Sequence, residues 1–212
     1  MLAGRSMLEW SVQPFLIDAA CRGLVVALAP DDEHWSQVRS RLQRVPIEAV
    51  GGAERADSVR SALQRLQASG VGADEWVLVH DAARCLVTPA QIRQLIAACQ
   101  HDPVGGLLAQ PLADTLKVQA PAERADADPR VSATLERSGK WLAQTPQMFR
   151  LQALHDALAA VAASGFAGIT DEASAMERLG LKPRLVEGSA QNFKVTYPAD
   201  FALAEAILGS RA

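Results

Sequence analysis

Trp76-Val77-Leu78-Val79-His80-Asp81-Ala82-Ala83-Arg84 opens the stretch that decides the fold, which continues through Thr88-Pro89 to Gly105-Gly106-Leu107-Leu108-Ala109. The apolar run Trp76–Val79 reads as a short buried strand. Thr88 stands three residues before Gln91, with Pro89 between them; this capping-box spacing, with proline at the first helical position, predicts a helix over Pro89–Ala98. Gly105–Ala109 is a second apolar run. Strand, helix and strand within about 30 residues form the unit of a parallel sheet covered by helices.

The same alternation extends both ways. Leu24–Ala29 and Ile47–Val50 read as strands, Glu33–Leu42 and Arg55–Ala68 as helices. In the second helix Val59, Ala62, Leu63 and Leu66 share one face at i, i+3, i+4 and i+7. Further helices are predicted at Leu151–Ala163, Asp171–Leu179 and Ala199–Leu208, and strands at Arg184–Val186 and Phe193–Thr196. The fold class is α/β, with a mostly parallel sheet and helices on both faces. Ser6 and Glu9 make another capping box, and Leu8, Val12, Phe15, Leu16 and Ala19 carry a helix in which Pro14 is a bend point. The chain therefore opens on a helix, whereas a parallel sheet usually opens on a strand.

Between Pro111 and Gln144 the rhythm breaks. Thr115–Val118 and Val131–Leu135 look like strands, and the polar stretch Ala120–Arg130 between them has no helical apolar face. Two arms of an extended hairpin are expected, suited to a partner subunit because an isolated hairpin is marginal in water.

Composition narrows the function. The chain has 212 residues, 49% hydrophobic and 21% charged, as in a globular protein of one large domain or of one domain with a small appendage. Its aromatic share of 5% leaves the core to Ala, Leu and Val. With a net charge of −3 and no basic run, general nucleic-acid binding is disfavoured. Cys21, Cys85 and Cys99 include no CxxC pair, so neither a zinc site nor a disulfide framework is expected. No signal peptide is visible, and the longest apolar run, Leu24–Pro30, is too short to span a bilayer, which predicts a cytoplasmic location and no membrane partner.

Three segments carry candidate chemistry. In open α/β sheets ligands gather beyond the carboxyl ends of the strands. There Asp81 can hold Mg²⁺ through a hard oxygen, and Arg84 can fork onto a phosphate; a turn-capping Asp81 paired with a surface Arg84 explains the pattern equally well. His80 alone reads as a strand-end histidine. The turn Gly51-Gly52-Ala53-Glu54-Arg55-Ala56-Asp57-Ser58 leads into a helix whose N-terminal N–H groups attract anions, although taken alone it is a plain connector. Lys194, within Asn192-Phe193-Lys194-Val195-Thr196, either neutralises a phosphoryl group or lies on a surface edge strand. Thr170-Asp171-Glu172 has the look of a capped helix start.

Taken in order, residues 51–59 (GGAERADSV), 80–84 (HDAAR), 111–117 (PLADTLK), 145–149 (TPQMF), 169–180 (ITDEASAMERLG) and 192–207 (NFKVTYPADFALAEAI) resemble the 2-C-methyl-D-erythritol 4-phosphate cytidylyltransferase family, over about residues 2–208. The resemblance implies one Rossmann-like nucleotidyltransferase domain over 1–212, with a dimerisation arm at about 113–142. It implies that Gly52 and Ser58 recognise cytidine, and that Asp81 coordinates Mg²⁺ on the CTP phosphates. Arg84, Thr115, Thr145 and Thr170 would hold methylerythritol phosphate, Arg137 would reach a homodimer partner's substrate, and Lys194 would stabilise the α-phosphate. Ribitol 5-phosphate cytidylyltransferases share the fold and the HDAAR-like strand end and form the second reading, ranked behind because residues 170–180 (TDEASAMERLG) look more like the methylerythritol group; a non-catalytic dimeric homologue is the third.

Some departures stand out. Family members open on a strand and a loop resembling Ala-Ala-Gly-x-Gly-x-Arg followed by Pro-Lys, and this sequence shows neither, so weak cytidylyl transfer by the chain as it stands is expected. The alternatives are a start at an internal methionine of a longer enzyme and a truncated chain. Cys85 stands where proline is usual, and Ala53 replaces a polar side chain in the cytidine turn.

Overall fold

The computed structural model describes residues 1–42, 44, 46–121, 124 and 128–211. The first half of the chain forms α1 (Met7–Leu16), β1 (Val25–Leu28), α2 (Trp35–Arg39), β2 (Ile47–Val50), α3 (Arg55–Ala68), β3 (Trp76–Val79) and α4 (Pro89–Cys99). There follow β4 (Gly105–Pro111), β5 (Leu116–Gln119), β6 (Val131–Leu135), β7 (Trp141–Arg150), α5 (Leu151–Ala162), α6 (Glu172–Arg178), β8 (Arg184–Glu187) and α7 (Pro198–Gly209).

A sheet of order β3-β7-β4-β8 occupies the centre. β3, β4 and β8 run one way, and β7 lies between β3 and β4 and opposes both. β1 and β2 pair in parallel, while β5 and β6 form a separate antiparallel ribbon. The α/β class holds, and β7 makes the main sheet mixed. Alternation along the strands divides the core: Val77, Leu107 and Phe149 pack with Leu63, Leu154, Leu158 and Met176 from α3, α5 and α6. Leu108, Met148 and Val186 pack with Leu95 and Cys99 of α4. Each fully buried side chain of this kind contributes about 1.5–3 kcal/mol. Helix α1 joins the two sheets, with Phe15 against Val87 and Ile92 and Leu8 against Val26 and Trp35.

Three expectations need correction. The ten-residue β7 has no strand-like signature, because Gln144, Pro146 and Gln147 interrupt its apolar run and proline argues against a central strand. Pro146 falls where the β4–β7 register slips between Leu107 and Ala109, so its missing N–H leaves the ladder intact. The glutamines are satisfied: the Gln147 amide donates to Asp171 and accepts from the Ala173 N–H, both at 2.8 Å, and Gln144 donates to the Ser189 carbonyl at 2.8 Å. Secondly, Phe193–Thr196 is not a strand; it runs beside the sheet, tied by the Val195 N–H to the Ala83 carbonyl at 2.8 Å. Thirdly, the helix expected over Glu33–Leu42 shortens to α2, behind an Asp32 carboxylate that accepts from the N–H groups of His34 and Trp35.

Every residue of β5 and β6 is exposed, as an arm requires. In the polar stretch Ala120–Arg130, residues 122, 123 and 125–127 lie outside the described residues. Among the described residues, no helix is long and apolar enough to cross a membrane.

Candidate active site

The site is assembled at the carboxyl end of β3. Asp81 follows that strand, and its backbone N–H donates to the Thr145 hydroxyl of β7 at 3.0 Å. The same hydroxyl lies 2.9 Å from His80 Nδ1, while His80 Nε2 lies 3.2 Å from the Arg84 carbonyl. Burial lowers the His80 pKa to about 4, so the ring is neutral at pH 7. A carbonyl only accepts, so Nε2 carries the single proton and Nδ1 accepts from Thr145. Thr145 is buried and its hydroxyl is engaged on both sides, supporting the strand end.

The carboxylate of Asp81 sits among cations. Arg55 Nε donates to Oδ1 at 2.8 Å, and Lys194 Nζ lies 3.4 Å from Oδ2. Burial opposes ionisation of Asp81, but Arg55, Lys194 and Arg84 outweigh it and hold the carboxyl below its usual range. The Asp81 side chain is 16% exposed and that of Lys194 50%, so the lysine reaches in from solvent. Arg84 is committed to backbone: Nη1 donates to the Asn192 carbonyl at 2.7 Å and Nη2 to the Ala143 carbonyl at 3.0 Å. It staples β7 to the segment bearing Lys194, with one N–H on each terminal nitrogen outside these two bonds and its buried Nε without a partner among the described residues. The fully buried Asn192 completes the staple by donating to the Thr145 carbonyl at 2.9 Å.

The Gly52–Ser58 turn meets this cluster through α3. The Gly52 N–H donates to the Ser58 hydroxyl at 3.1 Å, and a Cβ at Gly52 would overlap that of Asp57, so glycine is required for the turn to close. Thr170 is exposed, just before α6. Thr115 and Arg137 lie apart, at the base of the arm, where the Arg137 guanidinium donates to the Ala113 carbonyl. The structure thus joins Asp81, Arg84, Thr145 and Lys194 directly, and Gly52 and Ser58 through α3.

The donor chemistry suits Mg²⁺. Among the described residues no three His, Cys, Asp or Glu side chains converge, and at the end of β3 the Asp81 carboxylate is 16% exposed whereas Glu172 is 1% exposed. Mg²⁺ in nucleotide sites is typically held by one or two carboxylates, with substrate phosphates and water completing its shell.

Sequence reasoning missed Arg55 and Glu172. Arg55 Nη1 and Nη2 fork onto Glu172 at 2.6 and 3.1 Å, and Glu172 is 1% exposed. One signal was available: an arginine at the first position of a helix opposes the helix dipole unless a carboxylate meets it.

An α/β sheet whose strand end carries a carboxylate flanked by cations, beside a glycine turn opening a helix, has the arrangement at which α/β proteins bind nucleotides and phosphates. Comparison with known proteins narrows this class. The profile of the 2-C-methyl-D-erythritol 4-phosphate cytidylyltransferases matches residues 1–210, and the chain belongs to that family. It is 54% identical over 199 residues to the 2-C-methyl-D-erythritol 4-phosphate cytidylyltransferase of Pseudomonas aeruginosa strain UCBPP-PA14, covering 94% of this chain and 82% of that one. It is 51% identical over 211 residues to a bifunctional IspD/IspF enzyme of Albidiferax ferrireducens, covering all of this chain but only 48% of that relative's length. Among solved structures, a 4-diphosphocytidyl-2C-methyl-D-erythritol synthase superposes with a TM-score of 0.86 at 38% identity, covering 98% of this chain and 92% of that one.

Proposed function

We propose that the chain transfers the cytidylyl group of CTP to 2-C-methyl-D-erythritol 4-phosphate, releasing pyrophosphate and forming 4-diphosphocytidyl-2-C-methylerythritol for isoprenoid synthesis. The observation that carries this reading is Asp81, ionised at the end of β3 and facing Lys194, in a chain about half identical to cytidylyltransferases. Mg²⁺ held by Asp81 would supply neutralising charge to the phosphates. Lys194 neutralises the α-phosphate as the acceptor phosphate attacks in line. The nucleophile is already anionic, so no general base is needed. His80, neutral and turned onto Thr145 and the Arg84 carbonyl, serves as a strut. Gly52 and Ser58 receive the cytidine, and Thr170 and the free N–H groups of Arg84 face the acceptor.

The reading includes a cytoplasmic homodimer joined through the arm, with Thr115 and Arg137 serving the paired subunit's acceptor site. The outward apolar residues Val131 and Leu135 support it, being 63% and 42% exposed. Pyrophosphate release with CTP, Mg²⁺ and methylerythritol phosphate, with ribitol 5-phosphate as competitor, tests the reaction. Mg²⁺-dependent release that ribitol 5-phosphate does not suppress is expected; preferential use of ribitol 5-phosphate would replace the assignment. Sedimentation of the same preparation reports the dimer.

A further inference from the structure

Arg55 opens α3, where its charge faces the positive end of the helix dipole and gains nothing locally. Its guanidinium is spent elsewhere. The two terminal nitrogens fork onto the Glu172 carboxylate at the start of α6, and Nε holds Oδ1 of Asp81 at 2.8 Å. One planar group therefore ties together three elements far apart in sequence: the Gly52–Ser58 turn, the end of β3, and the helix start beside Thr170. A lysine, with one nitrogen, cannot hold both carboxylates in this geometry.

The two oxygens of Asp81 consequently have unlike partners. Oδ1 is gripped by a side chain pinned at three points. Oδ2 faces the half-exposed Lys194 at 3.4 Å, which is long for a charge-assisted hydrogen bond and leaves that partner exchangeable. Charge arithmetic explains Glu172. Asp81 with Arg55 alone sums to zero; the buried Glu172 brings these three groups to −1, so that Arg55 adds no net positive charge beyond that of the facing, exchangeable Lys194. Burial raises the pKa of Glu172 while Arg55 opposes that rise, and Arg55 itself is held firmly charged by Glu172 and Asp81 despite its own burial.

We propose that Arg55 is a positioning residue for the nucleotide–metal end of the site: it fixes Oδ1 of Asp81 so that Oδ2 alone is presented to a divalent cation, and Glu172 is the buried counter-charge that lets an arginine do so without repelling that cation. This rests on the reading of Asp81 as the magnesium carboxylate. The buried fork also makes the strand end rigid before any ligand arrives, which is how a partner of a metal ligand sharpens affinity.

The test compares wild-type protein with the double variant Arg55→Met/Glu172→Gln. Removing both charges together leaves no lone buried ion and keeps the triad at −1, so lost orientation is the main change. Calorimetric titration with CTP at stepped Mg²⁺ concentrations gives the Mg²⁺ needed for half-maximal CTP binding, and thermal unfolding is followed in parallel. The expected result is a Mg²⁺ requirement raised roughly tenfold, the lower range for loss of such a partner, with CTP binding restored at high Mg²⁺. Arg55→Lys, which keeps the charge and loses the fork, is the second variant should the first fail to fold; a shift in the same direction is expected. An unchanged Mg²⁺ requirement in a folded variant makes the fork a purely structural tie and overturns the proposal. Absence of Mg²⁺-dependent CTP binding in the wild type defeats the reading of Asp81 as well, and the two failures are told apart by that control.

Discussion

The end of β3 and the β5–β6 arm solve opposite problems. At the end of β3 the carboxylates of Asp81 and Glu172 and the guanidinium of Arg55 answer one another, with further contact from β7, while Arg84 Nε and Asn192 Oδ1 are buried without a hydrogen-bond partner among the described residues. In the arm every strand residue is exposed, the ribbon is only two strands wide, and apolar side chains such as Val131 point outward. The ion pairs of the first region close within one chain, because charges in a low-dielectric setting are costly to leave unpaired. The second has its backbone bonds but little core, and its exposed apolar residues are the surface used by the proposed dimer. On the proposed reading, chemistry falls where the chain over-determines position, and association where it leaves surface unspent.

The comparison predicts effects of very different size. Largest are the ionic groups meant to touch phosphate or metal: Asp81→Asn and Lys194→Ala should each lower turnover roughly a hundredfold or more, equivalent to ~3 kcal/mol of transition-state stabilisation. Steady-state kinetics would show this, and near-normal turnover of Asp81→Asn would remove the site from the end of β3. Next is the buried fork. Glu172→Ala leaves Arg55, one third exposed, paired with Asp81 alone and should cost about 1–3 kcal/mol of stability in urea unfolding. A loss below about 1 kcal/mol would mean that water reaches the pair.

A pH effect of intermediate size follows from His80. Its pKa is lowered to about 4 in the folded state against an unperturbed 6.5, so the unfolded chain binds the proton more readily. Its stabilising contribution is present above pH 6.5 and is lost as pH falls towards 4, by up to ~3 kcal/mol. His80→Gln should flatten the stability–pH curve in that window, and a curve of unchanged shape would show that the ring does not carry it. Smallest for the single chain is the arm. Val131→Asp should change unfolding stability by no more than about 0.5 kcal/mol while weakening self-association in sedimentation. An unaltered association state would contradict the arm's assigned use.

Much of this was legible in local sequence. The α4 start, with Thr88, Pro89 and Gln91, is realised as a full capping box, as is the one at Ser6 and Glu9. Both depend on residues three apart, within reach of a single helical turn. The two arm strands were also legible, because alternation and a polar interruption are local signals. Strand β7 was not, since its glutamines and proline are tolerated only through partners at Asp171, Ala173 and Ser189 and a slip in the ladder. The segment around Lys194 has strand composition, yet no neighbour offers it a ladder.

By itself the sequence determined the α/β rhythm, the capping boxes at Ser6 and Thr88 and the two strands of the β5–β6 hairpin, which rest on periodicity and capping acting over a few residues, and it nominated Asp81 and Lys194 as candidates. Only the tertiary structure decided that β7 runs antiparallel through the middle of the sheet, that Thr145 turns inward to His80 and the backbone of Asp81, and that Arg55 reaches a buried Glu172. The reason is physical: a buried polar group is stable only with its partner, and here the partners lie from 26 to 117 positions away along the chain.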